Sequence, residues 1–368
     1  MIDFEQRLKK ARGLMAEKNM NAMVLSRRDN FYYMTGILQM PGSAVIVPID
    51  RDPVILGLWV DHDNIVHQSW IKDVRRYVYP KISFSEMVRN VLDEMGLASS
   101  IIGIEKVWRG YGIALENFER LVNVLPNTQF VDANEVLKEL RTIKVEEEIA
   151  LLRKSAQISS KGMQVAVEAL REGKTELEVA AEAEWTMKKE GAERIAFQTM
   201  IGSGERTTWA HPFASEKKLQ KGDLVVIDLG AVYKGYNSEL SRTTVIGEAT
   251  QKQKQLIERA VEVQKFIVNN LKFGMRAKEI DEIAEAKTKE VKAEKLQFAA
   301  FGIGLDSFES PDFARDKMIG LEGNMVFTSI NCQIRIKEMG VAKISDTVWM
   351  SPEGKTVFLT EIPSFVFQ

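Results

Sequence analysis

Residues 224–247 read LVVIDLGAVYKGYNSELSRTTVIG. Leu224 to Val232 is β-branched and apolar apart from Asp228, Lys234-Gly235 is a turn signal, and Glu239 to Val245 resumes an extended, Thr-rich pattern. The stretch reads as a β-hairpin that sets Asp228 and Glu239 on facing strands of an apolar sheet. Most strand acids point to solvent, but Asp228 follows four apolar residues with no polar alternation. Two acids in a buried sheet need a shared cation, a proton or a basic partner.

Around this hairpin the chain is 368 residues long, more than one usual core, which predicts two domains. With 45% hydrophobic and 28% charged residues it has the composition of an ordinary soluble globular protein. A net charge of −2 argues against nucleic acid or an anionic membrane surface as the main partner. The lone cysteine, Cys332, rules out an internal disulfide framework and suits a reducing cytoplasm. The polar start, MIDFEQRLKK, shows no signal peptide, and no apolar run reaches membrane-spanning length. Any imidazole chemistry must use His62, His67 or His211, the three histidines present.

Phe4 to Lys18 carries Leu8, Ala11 and Met15 on one helical face. Strand patterns follow at Ala22–Leu25, Ser43–Val47, Pro53–Leu56, Val74–Val78, Ile101–Ile104 and Phe130–Asp132. Helical patterns lie between them at Asp61–Trp70, Ser85–Met95 and Ala114–Val122. This alternation predicts a three-layer α/β domain over residues 1–133. A link over residues 134–145 leads into a long helix broken near Thr142–Lys144, and a second domain spans 146–368. Glu146 to Glu148 suit a helix N-terminus, and Thr175-Glu-Leu-Glu178 is a capping box. Thr250 and Arg276 open two further helices, Gln251–Leu271 and Arg276–Val291. GDLVV from Gly222 is echoed by GNMVF from Gly323, so two helices plus half a sheet occur twice. That suggests a pseudo-twofold α/β/α domain with its active groove between the halves.

Specific motifs carry a resemblance that covers nearly the whole chain. RDNFYYMTG from Arg28 to Gly36 is similar to the N-terminal domain of prolidase and creatinase. LRTIKVEEEI from Leu140 to Ile149 is similar to the start of that family's interdomain helix. AHPFASEKKLQKGD from Ala210 to Asp223 resembles the segment with the family's catalytic-site histidine. The chain thus resembles the pita-bread hydrolases: prolidase, aminopeptidase P, methionine aminopeptidase and the metal-free relative creatinase. The resemblance implies a C-terminal pita-bread domain and, in its metallopeptidases, two divalent ions on five ligands: Asp, Asp, His, Glu and Glu. Asp228 matches the first aspartate, and Glu239 stands where the second belongs. Phe301 and Phe308 stand where the family has histidines, Ile330 where it has one glutamate and Ser345 where it has the other. With three of five ligands missing, the expectation is no cofactor, the alternative being one weakly held divalent ion on Asp228 and Glu239.

The resemblance makes His211 a pocket residue, since the aligned histidine contacts substrate in the peptidases and shuttles a proton in creatinase. The expected catalytic set is therefore His211, Asp228 and Glu239. In a dry groove one of two like-charged carboxyls keeps its proton near neutrality and can act as an acid, with its partner or His211 as base. Phe301, Phe308, Glu309, Lys343 and Arg242 are expected to bind substrate. Arg242 or Lys343 could instead neutralise the acidic pair as a salt bridge, and the two phenylalanines could simply fill core. Asp306 is a further polar anchor, and Trp209 and Phe213 a rim around His211. His62 and His67 are expected on the surface. Asp346 and Thr347 match residues that the family uses beyond its ligands. Creatinase has lost the aspartate that Asp228 preserves, so its substrate does not carry over.

Three readings stay open: a metal-independent hydrolase of a small amide, amidino or dipeptide-like substrate; a non-catalytic binder of a peptide or partner; and a metal-dependent Xaa-Pro dipeptidase. Each takes a small molecule or short peptide, in the cytoplasm, without nucleic acid or membrane. The resemblance also implies a homodimer, with Trp59 and Asp61 reaching the neighbour's groove.

Overall fold

The computed structural model describes residues 2–105, 115–291, 295–297, 300–313, 319–336 and 340–363. The chain divides into two compact units, Met1–Arg141 and Thr142–Gln368. The division falls inside the expected link, because its residues are themselves the helix Asn134–Thr142.

In the first unit the strands are β1 (Ala22–Leu25), β2 (Ala44–Pro48), β3 (Val54–Leu58), β4 (Asp73–Tyr77), β5 (Ile101–Ile104) and β6 (Gln129–Asp132). They form one sheet in the order β4-β3-β2-β1-β5-β6, antiparallel from β1 to β3 and parallel toward both edges. The helices are α1 (Phe4–Glu17), α2 (Arg28–Thr35), α3 (His62–Gln68), α4 (Phe84–Glu94), α5 (Leu115–Val124) and α6 (Asn134–Thr142). Val88, Val91 and Leu92 of α4 pack with Val24, Ile46, Leu56 and Ile102 of the sheet. Each such side chain contributes about 1.5–3 kcal/mol on burial. A capping box between Ser83 and Glu86 fixes where α4 begins.

The second unit opens with α7 (Glu146–Ala169) and α8 (Glu176–Lys189), the latter started by the expected box between Thr175 and Glu178. Next come β7 (Arg194–Ile195), β8 (Met200–Ser203), β9 (Leu224–Leu229), β10 (Ala231–Tyr233), β11 (Tyr236–Asn237) and β12 (Leu240–Val245). After α9 (Gln251–Asn270) and α10 (Ala277–Glu290) follow β13 (Lys295–Gln297), β14 (Phe301–Gly302), β15 (Glu309–Asp312), β16 (Val326–Ile336), β17 (Gly340–Met350) and β18 (Thr356–Phe358). The main sheet runs β15-β14-β16-β17-β12-β9-β8, with β13 on β16 and β18 on β17.

The hairpin that the sequence suggests is present, with a break. β9 stops at Leu229, and the chain continues in the small sheet β11-β10-β7 before β12 pairs back on β9. Gly230 makes the break: a Cβ there would lie 2.1 Å from the Ser238 carbonyl oxygen. Lys234 and Gly235, both with positive φ, close the two-residue turn between Tyr233 and Tyr236.

Alternation sorts the main sheet into two faces. Ile227, Leu229 and Leu240 pack with Ile158, Val179 and Met187 from α7 and α8. Ile344, Val348 and Phe327 pack with Ile257, Ile267 and Ile280 from α9 and α10. The registers Ser241↔Asp228, Ser241↔Ser345 and Thr328↔Thr347 put all of these apolar residues on one face. Asp228, Ser241, Thr243, Lys343, Ser345 and Thr347 are left together on the other.

Candidate active site

One row of residues crosses five extended segments on the polar face: Phe213, Met200, Asp228, Ser241 and Ser345. Glu239 sits one residue before β12, diagonal to Asp228. Its backbone N–H donates to Thr347 Oγ1 at 3.0 Å, and that hydroxyl reaches back to the Glu239 carbonyl at 3.0 Å. Ser345 Oγ lies 3.4 Å from Glu239 Oε1. Pleat and register therefore bring together the two acids that the sequence placed on facing strands.

A lysine joins them. Lys343 donates from Nζ to Asp228 Oδ2, and both side chains are buried. Asp228 Oδ1 is buried and accepts from no described residue. Burial and the Asp228 charge push Glu239 up to about 8, against the pull of Lys343 and Ser345. Burial draws the Lys343 ammonium down, but the two carboxylates outweigh it and hold the group above its ordinary value. Burial thus favours the protonated form of Glu239, while Lys343 stays charged against Asp228.

His211 lies in the exposed segment between β8 and β9, its ring 6.1 Å from that of Phe213 and nearly parallel to it. Phe213 bridges to Met200, which pairs with Asp228, so this segment borders the row that holds the acid. Trp209 is exposed beside it under the Arg206 guanidinium, 4.4 Å from ring to Cζ. The rings of Phe301 and Phe308 lie against each other, tilted by 35° with centroids 4.4 Å apart.

Other expected substrate contacts are committed elsewhere. Arg242 turns to the helix face, where its five N–H donors go to the carbonyls of Ser241, Ser345, Ile362 and Pro363 and to Asp346. Alternation decides this, because Arg242 is one residue from Ser241 and must point the opposite way. Asp346 takes the same turn and also accepts from Thr360 and Gln264. Lys343 is spent on Asp228, and Glu309 is ion-paired with the buried Lys144 at 2.8 Å. Sequence patterning missed Lys144, whose only signal was its position beside the predicted helix break. His62 is part-exposed and bonded to Asp63, and His67 is exposed. A space of about 550 Å³ between α7 and residues 361–363 is on the Arg242 side of the sheet, away from the acids.

Family models match most of the chain: a creatinase/prolidase N-terminal domain over residues 7–143 and metallopeptidase family M24 over residues 150–352. The Xaa-Pro dipeptidase of Pyrococcus furiosus is 34% identical over 352 residues, 95% of this chain and 96% of that one. The crystal structure of the prolidase from Pyrococcus horikoshii superposes with a TM-score of 0.85 at 31% identity, covering 97% of this chain and 99% of the other. An Xaa-Pro dipeptidase from Bacillus anthracis, at 24% identity and a TM-score of 0.89, shares the fold.

These matches correct the expectation of no cofactor, since the model matched over residues 150–352 is that of a metallopeptidase family. At the positions that the resemblance matches to the family's histidines and glutamates, this chain carries Phe301, Phe308, Ile330 and Ser345. Lys343 fills the space beside Asp228, a hydroxyl stands at Ser345, and the two phenylalanines carry no donor atoms. Among the described residues, no three His, Cys, Asp or Glu side chains converge on one point.

Proposed function

Because the chain belongs to metallopeptidase family M24, a family of hydrolases, and carries a creatinase/prolidase N-terminal domain, we propose that it hydrolyses dipeptide-like substrates, Xaa-Pro dipeptides first among them. The observation that carries this reading is the buried cluster of Asp228, Lys343 and protonated Glu239 beside the His211 segment. In this reading Asp228 Oδ1, with no donor of its own, accepts an N–H from the substrate and fixes its position. A water molecule gives a proton to His211 as its oxygen adds to the amide carbon. Glu239 gives its proton to the leaving nitrogen as the C–N bond breaks. Lys343 pairs with Asp228 and holds its other oxygen in place. Phe301 and Phe308 form the wall against an apolar side chain.

A panel of Xaa-Pro and other dipeptides tests the proposal, assayed with and without added manganese or cobalt. Turnover that is lost in His211→Ala supports it, and no hydrolysis under any of these conditions ends it. One observation favours a second reading, binding without turnover: Lys343 closes one oxygen of the only strand aspartate in the row. Dipeptide affinity without cleavage would select that reading.

We further propose a homodimer. Trp59, Val60, Val66 and Tyr79 are exposed in the first unit, an apolar set that a second copy would cover. A solution mass of one chain would contradict it. A cytoplasmic location is proposed on the single Cys332, and no helix among the described residues is long and apolar enough to cross a membrane.

A further inference from the structure

We infer that Glu176 is a positioning residue that clamps the segment carrying His211. This rests on the proposed role of His211. Glu176 is in the first turn of α8 and is fully buried. A buried carboxylate costs several kcal/mol unless donors surround it, and here five do. Its Oε1 accepts from the backbone N–H of Ser203 at 2.9 Å, from Ser203 Oγ at 2.8 Å and from Arg206 Nε at 3.2 Å. Its Oε2 accepts from the backbone N–H of Ser215 at 3.2 Å and from Ser215 Oγ at 2.7 Å. Ser203 is the last residue of β8, and Ser215 lies just past Phe213. One carboxylate thus ties both ends of the loop that presents Trp209, His211 and Phe213.

Two further contacts extend the clamp. Arg206, paired with Glu176, donates from its NH2 nitrogen to the Phe213 carbonyl at 2.5 Å, bracing the two sides of the loop. Thr207 Oγ1 accepts from the backbone N–H of Val341 at 3.2 Å, two residues before Lys343. The loop is therefore fixed both to α8 and to the strand that supplies the cluster's ammonium. Among the described residues the His211 ring meets only the exposed ring of Phe213, on the same loop, so its placement comes from the loop backbone. Charge-assisted bonds to one buried acceptor suit that task, because they are short and directional and are lost together.

The test pairs Glu176→Gln with the milder Ser215→Ala, each in the full chain, and follows amide hydrogen exchange beside dipeptide kinetics. Glutamine keeps the shape but turns one accepting oxygen into a donor facing N–H and O–H groups. The expected result is exchange at least tenfold faster over residues 206–214, with β9 and β12 unchanged. Along with it, kcat/KM falls at least tenfold, mainly through kcat. Unchanged loop exchange in the folded variants overturns the inference, as does a loosened loop with full turnover where His211→Ala abolishes turnover. If His211→Ala leaves turnover intact, the functional reading fails instead, and the exchange data alone decide the clamp.

Discussion

Lys343 and Asp228 meet across an intervening strand, β17 to β9 over β12, and close a buried ion pair on the polar face of the sheet. The ladder makes this meeting possible: Ser241 pairs with both Asp228 and Ser345, so Lys343 lies two residues along the same face. The lysine is the basic partner of Asp228, and Glu239 is met instead by a proton.

Removing that cation leaves two carboxyls buried beside each other. Lys343→Met is expected to destabilise the second unit by about 3–5 kcal/mol, the usual cost of breaking a buried pair from one side. Asp228→Asn strands the ammonium in the same way. The double variant should lose less than the sum of the single losses, because neither charge is then orphaned. Chemical denaturation of all four proteins gives the coupling directly, and strict additivity would show that the pair is not coupled.

His211 is exposed, so His211→Ala should shift stability by less than about 0.5 kcal/mol, as surface substitutions do. Its effect on dipeptide turnover should be large, about 10²–10⁴-fold, the range for loss of a general acid or base. Steady-state kinetics beside a thermal melt separates the two. An inactive variant that also melts early would assign His211 to structure.

The site was legible in the sequence wherever alternation alone decides direction. Asp228 and Glu239 were readable because a strand pair with a marked turn fixes which residues share a face. The same rule excludes Arg242, which stands three residues after Glu239 on the same extended run and so faces the other way. Glu176 was hidden. An acid in a helix's first turn next to a capping box has a full explanation in the helix dipole, and nothing local says that it is buried. Lys144 and Glu309 are 165 residues apart, and no local pattern pairs them.

Placing Arg242 on the helix face makes a prediction of its own. Arg242→Lys keeps the charge but has three donors where five are used, leaving buried carbonyls of Ser241, Ser345, Ile362 or Pro363 unpaired. A loss of about 2–4 kcal/mol is expected, at about 1–3 kcal/mol for each abandoned polar group, with KM unchanged in the protein that remains folded. A raised KM without a stability loss would return Arg242 to the substrate side.

The first unit holds a second buried acid whose titration is measurable as stability. Glu105 lies at the end of β5, where burial pushes it up to about 7. Donors at Ser26 N (2.7 Å), Arg27 N (2.8 Å) and Asn30 Nδ2 (2.7 Å) pull the other way. Below its ordinary value of 4.5 both the folded and unfolded chains carry the proton, and the contribution to stability is complete. As pH rises from there to 7, the unfolded chain releases the proton while the folded chain keeps it, so stability falls. Over that window the loss is about 3 kcal/mol, at 1.36 kcal/mol per pH unit. Glu105→Gln cannot titrate. The stability of the natural protein relative to this variant should therefore decline between pH 4.5 and 7 and level off above it. A difference that is flat across the window, or that rises with pH, would mean that the three N–H donors keep Glu105 ionised in the folded chain.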